Sequence, residues 1–91
     1  MNDPRYQLQI VSTARRHLTD VLPEAVAGAA FEFITGPLLD NPYRVGKQLR
    51  PPLADRHSAR RGTYRIVYRI DDETRSVTVL AIGHRGGIYR P

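Results

Sequence analysis

Arginines recur at alternate positions in the last third of the chain, where residues 64–70 and 76–82 form two apolar-rich runs around an acidic turn. Runs of this length, separated by turn-forming acids, predict a β-hairpin. Because strand side chains alternate between the two faces of a sheet, Arg65 and Arg69 share one face, and strict alternation adds Arg85. Guanidinium groups arranged in this way suit a phosphate-bearing ligand.

The same alternation sorts the other residues of the hairpin. In the first run it predicts that Tyr64, Ile66 and Tyr68 face away from the arginines and pack on helices. In the second run it places small and apolar residues beside Arg85, namely Val77, Val79, Ala81 and Gly83. An arginine-lined face with small neighbours leaves room for a ligand, so this face is the predicted binding surface.

Histidine is the usual candidate for proton transfer, because its ordinary pKa of about 6.5 lies close to neutral pH. The chain has three, His17, His57 and His84, which are too scattered for a metal-binding pattern. Alternation places His57 and His84 on the helix side of the sheet, where we expect them to be partly buried. His17 is expected on the surface of a helix. No metal or other cofactor is predicted.

Size and composition limit the classes of protein to which this chain can belong. The 91 residues fit a single domain over 1–91. The absence of cysteine excludes disulfides and thiolate metal sites and fits a reducing cytoplasm. No run approaches the roughly 20 apolar residues of a membrane helix, and no secretory leader opens the chain, so a cytoplasmic location is expected.

Positive charge is concentrated in the second half of the chain. The net charge is +5, and thirteen of the fourteen basic residues are arginine. Residues 1–43 carry three bases and five acids, whereas residues 44–91 carry eleven bases and four acids. Such asymmetry favours a polyanion or an acidic protein as partner. The simpler explanation of this charge asymmetry is a basic face that is exposed to solvent and binds no partner.

The first half of the chain predicts a strand followed by two helices. Residues 6–11 alternate polar and apolar side chains, which indicates a strand. Helical spacing predicts helices from about Thr13 and Pro23, the first capped by Ser12 or Thr13 itself. The second helix should break at Gly36-Pro37. Its aromatic residues, Phe31 and Phe33, are expected in the core.

A proline-containing connection over residues 43–55 then leads to a short predicted strand over 56–61, and Gly62-Thr63 turns the chain into the main hairpin. The predicted fold is therefore α+β, in the order β-α-α-β-β-β. It has an antiparallel sheet core with an N-terminal helical hairpin packed on one face.

Several motifs also match a known family. Residues 59–68 read ARRGTYRIVY, and residues 79–85 read VLAIGHR before Tyr89-Arg90. With Leu49, Asn41-Pro42 and the order of elements, they resemble the RelE/ParE superfamily of bacterial type II toxins, and more closely its RelE branch. The resemblance covers nearly the whole chain.

This resemblance implies a RelE-like sheet whose concave face receives RNA. Members similar to RelE are mRNA interferases: metal-independent endoribonucleases that inhibit translation by cutting mRNA in the ribosomal decoding site. The implied partners are therefore mRNA, the ribosome and a RelB-like antitoxin with acidic and apolar contacts. Operator DNA would be bound only indirectly, through the antitoxin.

Site residues are carried over from the resemblance by position. Arg65 and Arg85 match active-site arginines, and Tyr89 matches a tyrosine near the carboxyl end. Arg60 is a further candidate clamp for the phosphate. The residues expected to bind RNA are Lys47, Arg56, Ser58 and Arg61.

The chain departs from the family pattern at one pair of positions. Arg56 and Ser58 stand where a well-studied branch has two lysines. Arginine can hold phosphate, but its pKa above about 12 makes it a poor general base. The general acid and base of the reaction are therefore left open by the sequence.

Two other functions stay open as well. One is a ParE-like module that inhibits DNA gyrase without cutting nucleic acid. The other is a family member that binds antitoxin but is catalytically weak. At the level of residues, Arg65 and Arg85 could instead pair with acids across strands, and Tyr89 could cap the end of the sheet.

Overall fold

A five-stranded sheet forms the centre of the protein in the computed structural model, which describes residues 5–83 in full and the backbone of His84. Its strands are β1 (Gln7–Ile10), β2 (Lys47–Gln48), β3 (His57–Arg61), β4 (Tyr64–Asp71) and β5 (Ser76–His84). Across the sheet they lie in the order β1-β5-β4-β3-β2, which places the β4–β5 hairpin between strands on both sides. β1 runs parallel to β5, and all other neighbouring strands are antiparallel.

The α+β fold is therefore confirmed, with two differences in its sheet. The two-residue strand β2 is an addition to the predicted order, and the edge strand β1 makes a parallel pair where an antiparallel core was predicted. A parallel pair requires a crossover between its strands. Here the helices and three intervening strands supply the crossover, so strand alternation within β1 could not reveal its direction.

The helices lie between β1 and β2. They are α1 (Ser12–Arg16), which continues as a π-helical segment over His17–Val21, then α2 (Glu24–Thr35) and α3 (Pro37–Asp40). The predicted break at Gly36-Pro37 is confirmed, but the helical hairpin is confirmed only in part, because its first arm has just five α-helical residues. The predicted cap is wrong: Val11 precedes α1, and no side chain makes a cap hydrogen bond there. None of the helices described is long and apolar enough to cross a membrane.

The core fills the space between these helices and one face of the sheet. Side chains with no exposed surface include Ala14, Ala30, Ile34, Leu38, Ile66, Tyr68, Val77 and Val79. Tyr64 and Ile66 belong to this cluster, so the predicted helix-facing side of β4 is confirmed. Phe33 is buried as predicted, whereas the core prediction for Phe31 is wrong, because 54% of that residue is exposed.

A β-bulge in β5 changes which residues share a face. Val67 pairs with Ala81, but the next residue, Tyr68, pairs with Val79, which leaves Leu80 as the extra residue. A bulge of this kind reverses the alternation on one side of the insertion. The strict alternation predicted for β5 is therefore wrong: Val77 and Val79 lie in the core, on the opposite face from Ala81.

His17 is held against the sheet rather than exposed at the surface. Its Nδ1 atom accepts a hydrogen bond from the backbone N–H of Ile82 at 3.0 Å. β1 pairs with β5 only as far as Val79, so the imidazole accepts a hydrogen bond from the edge of β5 beyond the end of β1. The surface position predicted for His17 is wrong for this reason. The helical pattern gave no sign that a strand edge lay beside it.

Candidate nucleic-acid interface

Two arginines face each other across the β3–β4 hairpin. Arg60 is the direct register partner of Arg65. Between the strands lies a two-residue loop, in which Gly62 adopts a φ of 63°, a left-handed conformation that glycine adopts without strain. Side chains directly opposite on antiparallel strands lie on the same face, and like charges there are destabilising. An anion bound between Arg60 and Arg65 would offset that repulsion.

A groove of about 480 Å³ opens beside this pair. The sheet contributes three of its lining residues, Ser58, Arg60 and Arg65. The connection between α3 and β3 contributes the opposite wall, formed by Val45, Gly46, Lys47, Gln48, Leu49 and Arg50. The groove thus combines cationic side chains with the apolar residues Val45 and Leu49, a combination that accommodates both the phosphates and the bases of a nucleic acid.

Strand β2 fixes the position of that wall. Lys47 pairs in register with Ser58, and Gln48 pairs with His57. The pairing is extended by a backbone hydrogen bond from the Leu49 N–H to the Arg56 carbonyl at 2.9 Å. The Gln48 side chain donates from Nε2 to the Ala54 carbonyl at 2.6 Å, which ties the strand to the following loop. Lys47 is therefore positioned by backbone pairing.

A second, smaller groove lies at the turn end of the same hairpin. Its volume is about 230 Å³, and its lining is Arg60, Gly62, Thr63, Tyr64 and Arg65. The two grooves share the facing arginines, so Arg60 and Arg65 stand between two concave surfaces. An extended anion such as an RNA strand could pass from one groove to the other across this pair.

His57 packs between two tyrosines on the helix side of the sheet. Its ring lies 5.7 Å from that of Tyr43, edge-on, and is stacked at 5.6 Å on Tyr68. Burial lowers the pKa of His57, which favours the neutral imidazole. The predicted partial burial of His57 is confirmed, and its neighbours are aromatic rings rather than the groove.

Comparison with known proteins gives the family. Residues 10–89 match the family described as the ParE toxin of the type II toxin–antitoxin system parDE. The chain is 49% identical over 89 residues to Toxin RelE of Mycobacterium tuberculosis, which covers 98% of this chain and 91% of that protein. This chain belongs to the ParE toxin family. It is thus a RelE/ParE-superfamily toxin of the type II toxin–antitoxin class, as the resemblance predicted.

Other similar proteins agree with this membership of the RelE/ParE superfamily. Toxin RelG of M. tuberculosis is 51% identical over 85 residues, 93% of this chain and 97% of that protein. The crystal structure of the RelBE2 toxin–antitoxin complex from the same organism matches with a TM-score of 0.84 and 49% identity, covering 89% of this chain and 99% of that one. Isolated E. coli RelE, at 24% identity, shares the fold with a TM-score of 0.72 over 92% of this chain and 90% of that one.

Four of the predicted site residues of this toxin come together in the larger groove: Lys47, Ser58, Arg60 and Arg65. The sequence missed the remaining lining residues, of which Arg50 adds a further cation and Leu49 an apolar surface. The isolated fragment Lys47-Gln48 is too short to show strand alternation, so no local signal marked this wall of the groove.

The other predicted site residues of the toxin are placed differently. Arg61 lies on the helix side of the sheet, where its guanidinium carbon stands 4.6 Å from the centre of the Phe33 ring. Arg56 is half-buried, with its Nε 3.8 Å from a carboxylate oxygen of Asp55. Arg85 and Tyr89 lie outside the described residues. Within the part of the chain that is described, no cluster of histidine and carboxylate side chains could hold a metal ion.

Proposed function

We propose that this toxin is a ribosome-dependent endoribonuclease, an mRNA interferase that cleaves mRNA in the decoding site. The observation that carries the proposal is the facing pair Arg60 and Arg65 at the edge of a groove that also holds Lys47. Among the described residues lining that groove, none is acidic. Such a surface favours a strongly anionic ligand that is held by its phosphates.

The chemistry required of such a site is modest. RNA carries its own nucleophile, the 2′-hydroxyl, so the protein must align that group with the neighbouring phosphorus and stabilise charge on the phosphoryl oxygens. Alignment and fixed positive charge can supply much of the rate enhancement. Arg60 and Arg65 provide forked donors for the phosphate, and Arg85 is proposed to join them, with Tyr89 stacking on a base or positioning a proton.

The similar proteins support this proposal and suggest the partners. The relatives at 49% and 51% identity are named Toxin RelE and Toxin RelG, and the similar complex RelBE2 contains a toxin with its antitoxin. We therefore propose a RelB-like antitoxin as the neutralising partner, with the protein acting in the cytoplasm. The antitoxin, rather than this chain, would bind operator DNA. Titration of the isolated chain with operator DNA should accordingly show no sequence preference.

Single-turnover cleavage of mRNA on programmed ribosomes tests the proposal. The variant Arg65→Ala should lose roughly 10²–10³ in rate, the usual effect of removing one preorganised donor from a charged transition state. Arg69→Ala is the matched control. Arg69 lies four residues after Arg65 on the same face of β4, is exposed and does not line the groove. Its rate should stay close to that of the wild type. Intact mRNA with the wild-type protein would refute the function.

A ParE-like activity is the second candidate, because the matching family is described by a ParE toxin. Under that alternative the basic groove would bind a partner without cutting RNA. A DNA gyrase supercoiling assay with the same protein preparations separates the two functions. Inhibition of gyrase with uncut mRNA would favour the ParE-like alternative, whereas cleavage without an effect on gyrase would favour the interferase.

A further inference from the structure

His57 connects the sheet to the segment that forms the opposite wall of the larger groove. Its imidazole stacks on the Tyr68 ring of β4 and lies edge-on to the Tyr43 ring, at 5.6 and 5.7 Å between ring centres. Its backbone pairs in register with Gln48 of β2. One residue of β3 thus contacts both ends of the segment over residues 43–48, and residues 45–48 of that segment line the groove.

The surroundings of this imidazole suit its neutral form. Its Nδ1 atom is buried and has no hydrogen-bond partner among the described residues. A neutral ring can keep that atom as a bare acceptor, whereas protonation would place an N–H donor where nothing accepts it. A buried donor without an acceptor is costly. A charged ring therefore favours a rearrangement that brings Nδ1 to water or to a protein acceptor.

The groups that face the ring are uncharged. From β4 and from the connection they are the phenols of Tyr68 and Tyr43, whose pKa values are both raised above the ordinary 10.0, so both phenols stay neutral. From β2 the partner is the amide residue Gln48. Just before β3, the Nε atom of Arg56 lies 3.8 Å from a carboxylate oxygen of Asp55. Burial accordingly lowers the pKa of the imidazole below its ordinary value of 6.5.

We propose that His57 is a positioning residue for the groove wall, and that proton uptake by its imidazole releases the wall and weakens the binding of RNA. The inference rests on the proposed ribonuclease function. With a neutral ring, the stack holds Tyr43 and β2 against the sheet, and Lys47 stays opposite Ser58. With a charged ring, Nδ1–H turns toward an acceptor, the stack opens, and the segment that carries Lys47 moves away from the groove.

RNA binding and stability should respond to acid in different pH windows. Binding depends on the folded protein, so it should weaken as the pH falls through the folded-state pKa of His57, which lies below 6.5. The unfolded chain takes up this proton at a higher pH than the folded chain. The free energy of unfolding should therefore decrease from about pH 6.5 downward and stop decreasing below the folded-state pKa.

The carboxylate that holds Tyr43 titrates at a lower pH. Asp72 accepts a hydrogen bond from the Tyr43 hydroxyl, and the pKa of Asp72 lies below 3.8. A pH series from about 8 to about 4.5 leaves this carboxylate ionised. Acid effects within that series can therefore be assigned without a contribution from Asp72.

The variant His57→Phe tests the role of the proton. Phenylalanine can occupy the same place between the two tyrosine rings and cannot be charged. Affinity is measured for ribosomes programmed with mRNA that carries 2′-deoxyribose at the cleaved position and so cannot react. At neutral pH the variant should bind like the wild type. Below the folded-state pKa of His57 the wild type should lose up to about tenfold in affinity per pH unit relative to the variant, because binding then requires release of one proton.

Two further variants and one spectrum serve as controls. Comparing two proteins at each pH cancels any change in the ribosome itself. His57→Ala removes the stack together with the proton and should bind weakly throughout the series. His17→Asn removes a different histidine and should keep the acid response of the wild type. In NMR spectra of the wild type, the amide signals of Lys47 and Leu49 should shift with the same midpoint as the His57 ring.

Each outcome decides one point. Equal acid weakening in the wild type and His57→Phe would overturn the role of His57, as would amide signals of Lys47 and Leu49 that do not follow its ring. Thermal unfolding checks each variant, and if His57→Phe fails to fold, the spectrum of the wild type decides. If the wild type leaves ordinary mRNA intact at neutral pH, the proposed function fails, whereas the NMR midpoints still show whether His57 positions the wall.

Discussion

The hydroxyl of Tyr68 donates a hydrogen bond to the carbonyl oxygen of Pro42 at 2.5 Å, in the interior of the protein. Both residues are fully buried, and burial raises the pKa of the Tyr68 phenol, so the hydroxyl keeps its proton and remains a donor. Tyr68 lies at the centre of the sheet, and Pro42 begins the connection that leads to β2. One core residue therefore anchors the segment that carries Lys47.

Gly46 lies close to the Tyr68 hydroxyl, and a larger residue at this position should destabilise the fold. A methyl group added there would stand 2.8 Å from the Ser58 carbonyl oxygen and would also meet the Tyr68 hydroxyl. We expect Gly46→Ala to lower the free energy of unfolding by about 1–3 kcal/mol, as overpacking commonly does. RNA cleavage should fall as well, because β2 must move. Urea unfolding and the ribosome assay measure the two effects.

Gly28→Ala is the control for that experiment. Gly28 lies within α2, and an added methyl group there would have nothing within 4 Å. Replacing glycine in a helix should raise the free energy of unfolding by about 0.5–1 kcal/mol and leave cleavage unchanged. A Gly46→Ala protein as stable as the wild type would show that the close approach to Ser58 relaxes at little cost.

Arg60 and Arg61 are neighbours in sequence but should respond differently to substitution. Arg60 lines the groove, whereas Arg61 lies over the Phe33 ring on the other face. We expect Arg60→Ala to slow cleavage by roughly 10²-fold or more with little change in stability. Arg61→Ala should lower the free energy of unfolding by about 0.5–1 kcal/mol, the typical value of an exposed cation–π contact, and keep most of the activity. Equal loss of cleavage in both variants would contradict the assignment of faces.

The turn between β4 and β5 is tied to two distant segments through Asp72. Tyr6 donates from its hydroxyl to one carboxylate oxygen at 2.5 Å, and Tyr43 donates to the other. The bonds from Tyr43 and then Tyr6 hold the pKa of Asp72 below its ordinary value of 3.8. Because this folded-state pKa is the lower one, the carboxylate stabilises the fold above about pH 4 and loses that effect as the pH falls through the folded-state pKa. Asp72→Ala should thus be less stable than the wild type at neutral pH, and the difference should narrow as the pH falls below the ordinary carboxyl pKa of 3.8.

Thermal unfolding over a pH series measures that difference. Tyrosinate absorbance gives an independent readout, since the hydrogen bond to Asp72 raises the pKa of Tyr43 to about 12. In Asp72→Ala this pKa should return toward the ordinary value of 10.0. A stability difference that is constant with pH, together with an unchanged titration of Tyr43, would show that the carboxylate has no such role in solution.

His17 should tolerate one substitution better than another. Its Nδ1 atom accepts the Ile82 N–H, and the side-chain oxygen of asparagine can reach a similar position. We expect His17→Ala to lower the free energy of unfolding by about 1–3 kcal/mol, because it leaves a partly buried N–H without its acceptor. His17→Asn should lose less. Amide hydrogen exchange at Ile82 checks the cause directly, and equal protection in the wild type and both variants would contradict it.

The sequence was most informative where one short segment contains the whole signal. The alternation of Tyr64, Ile66 and Tyr68 with Arg65 identified both faces of β4. Neighbouring residues on a strand fix each other's direction, so a local pattern is enough. The break between α2 and α3 was equally local, because proline lacks the N–H that a continuing helix needs.

Features that depend on distant segments were missed. Leu80 becomes a bulge only against the register of β4, and strict alternation has no means of locating an extra residue. Lys47 lies opposite Ser58 because β2 pairs with β3, and neither segment has a sequence pattern that predicts this pairing. His17 likewise gains its role from the exposed edge of β5. In each case the partner lies at least eleven residues away, and its distance in space is set by the whole fold.

The parallel pairing of β1 with β5 bears on how the protein emerges during its own synthesis. β1 ends at Ile10, and its neighbour in the sheet begins at Ser76, so the first strand can pair only after every helix and strand between them has been made. The core shares this dependence, since Val77, Val79 and Ile82 come from the same late strand. A nascent chain shorter than this lacks the framework that holds the groove. The order of translation itself thus delays the assembly of the sheet until β5 has been made.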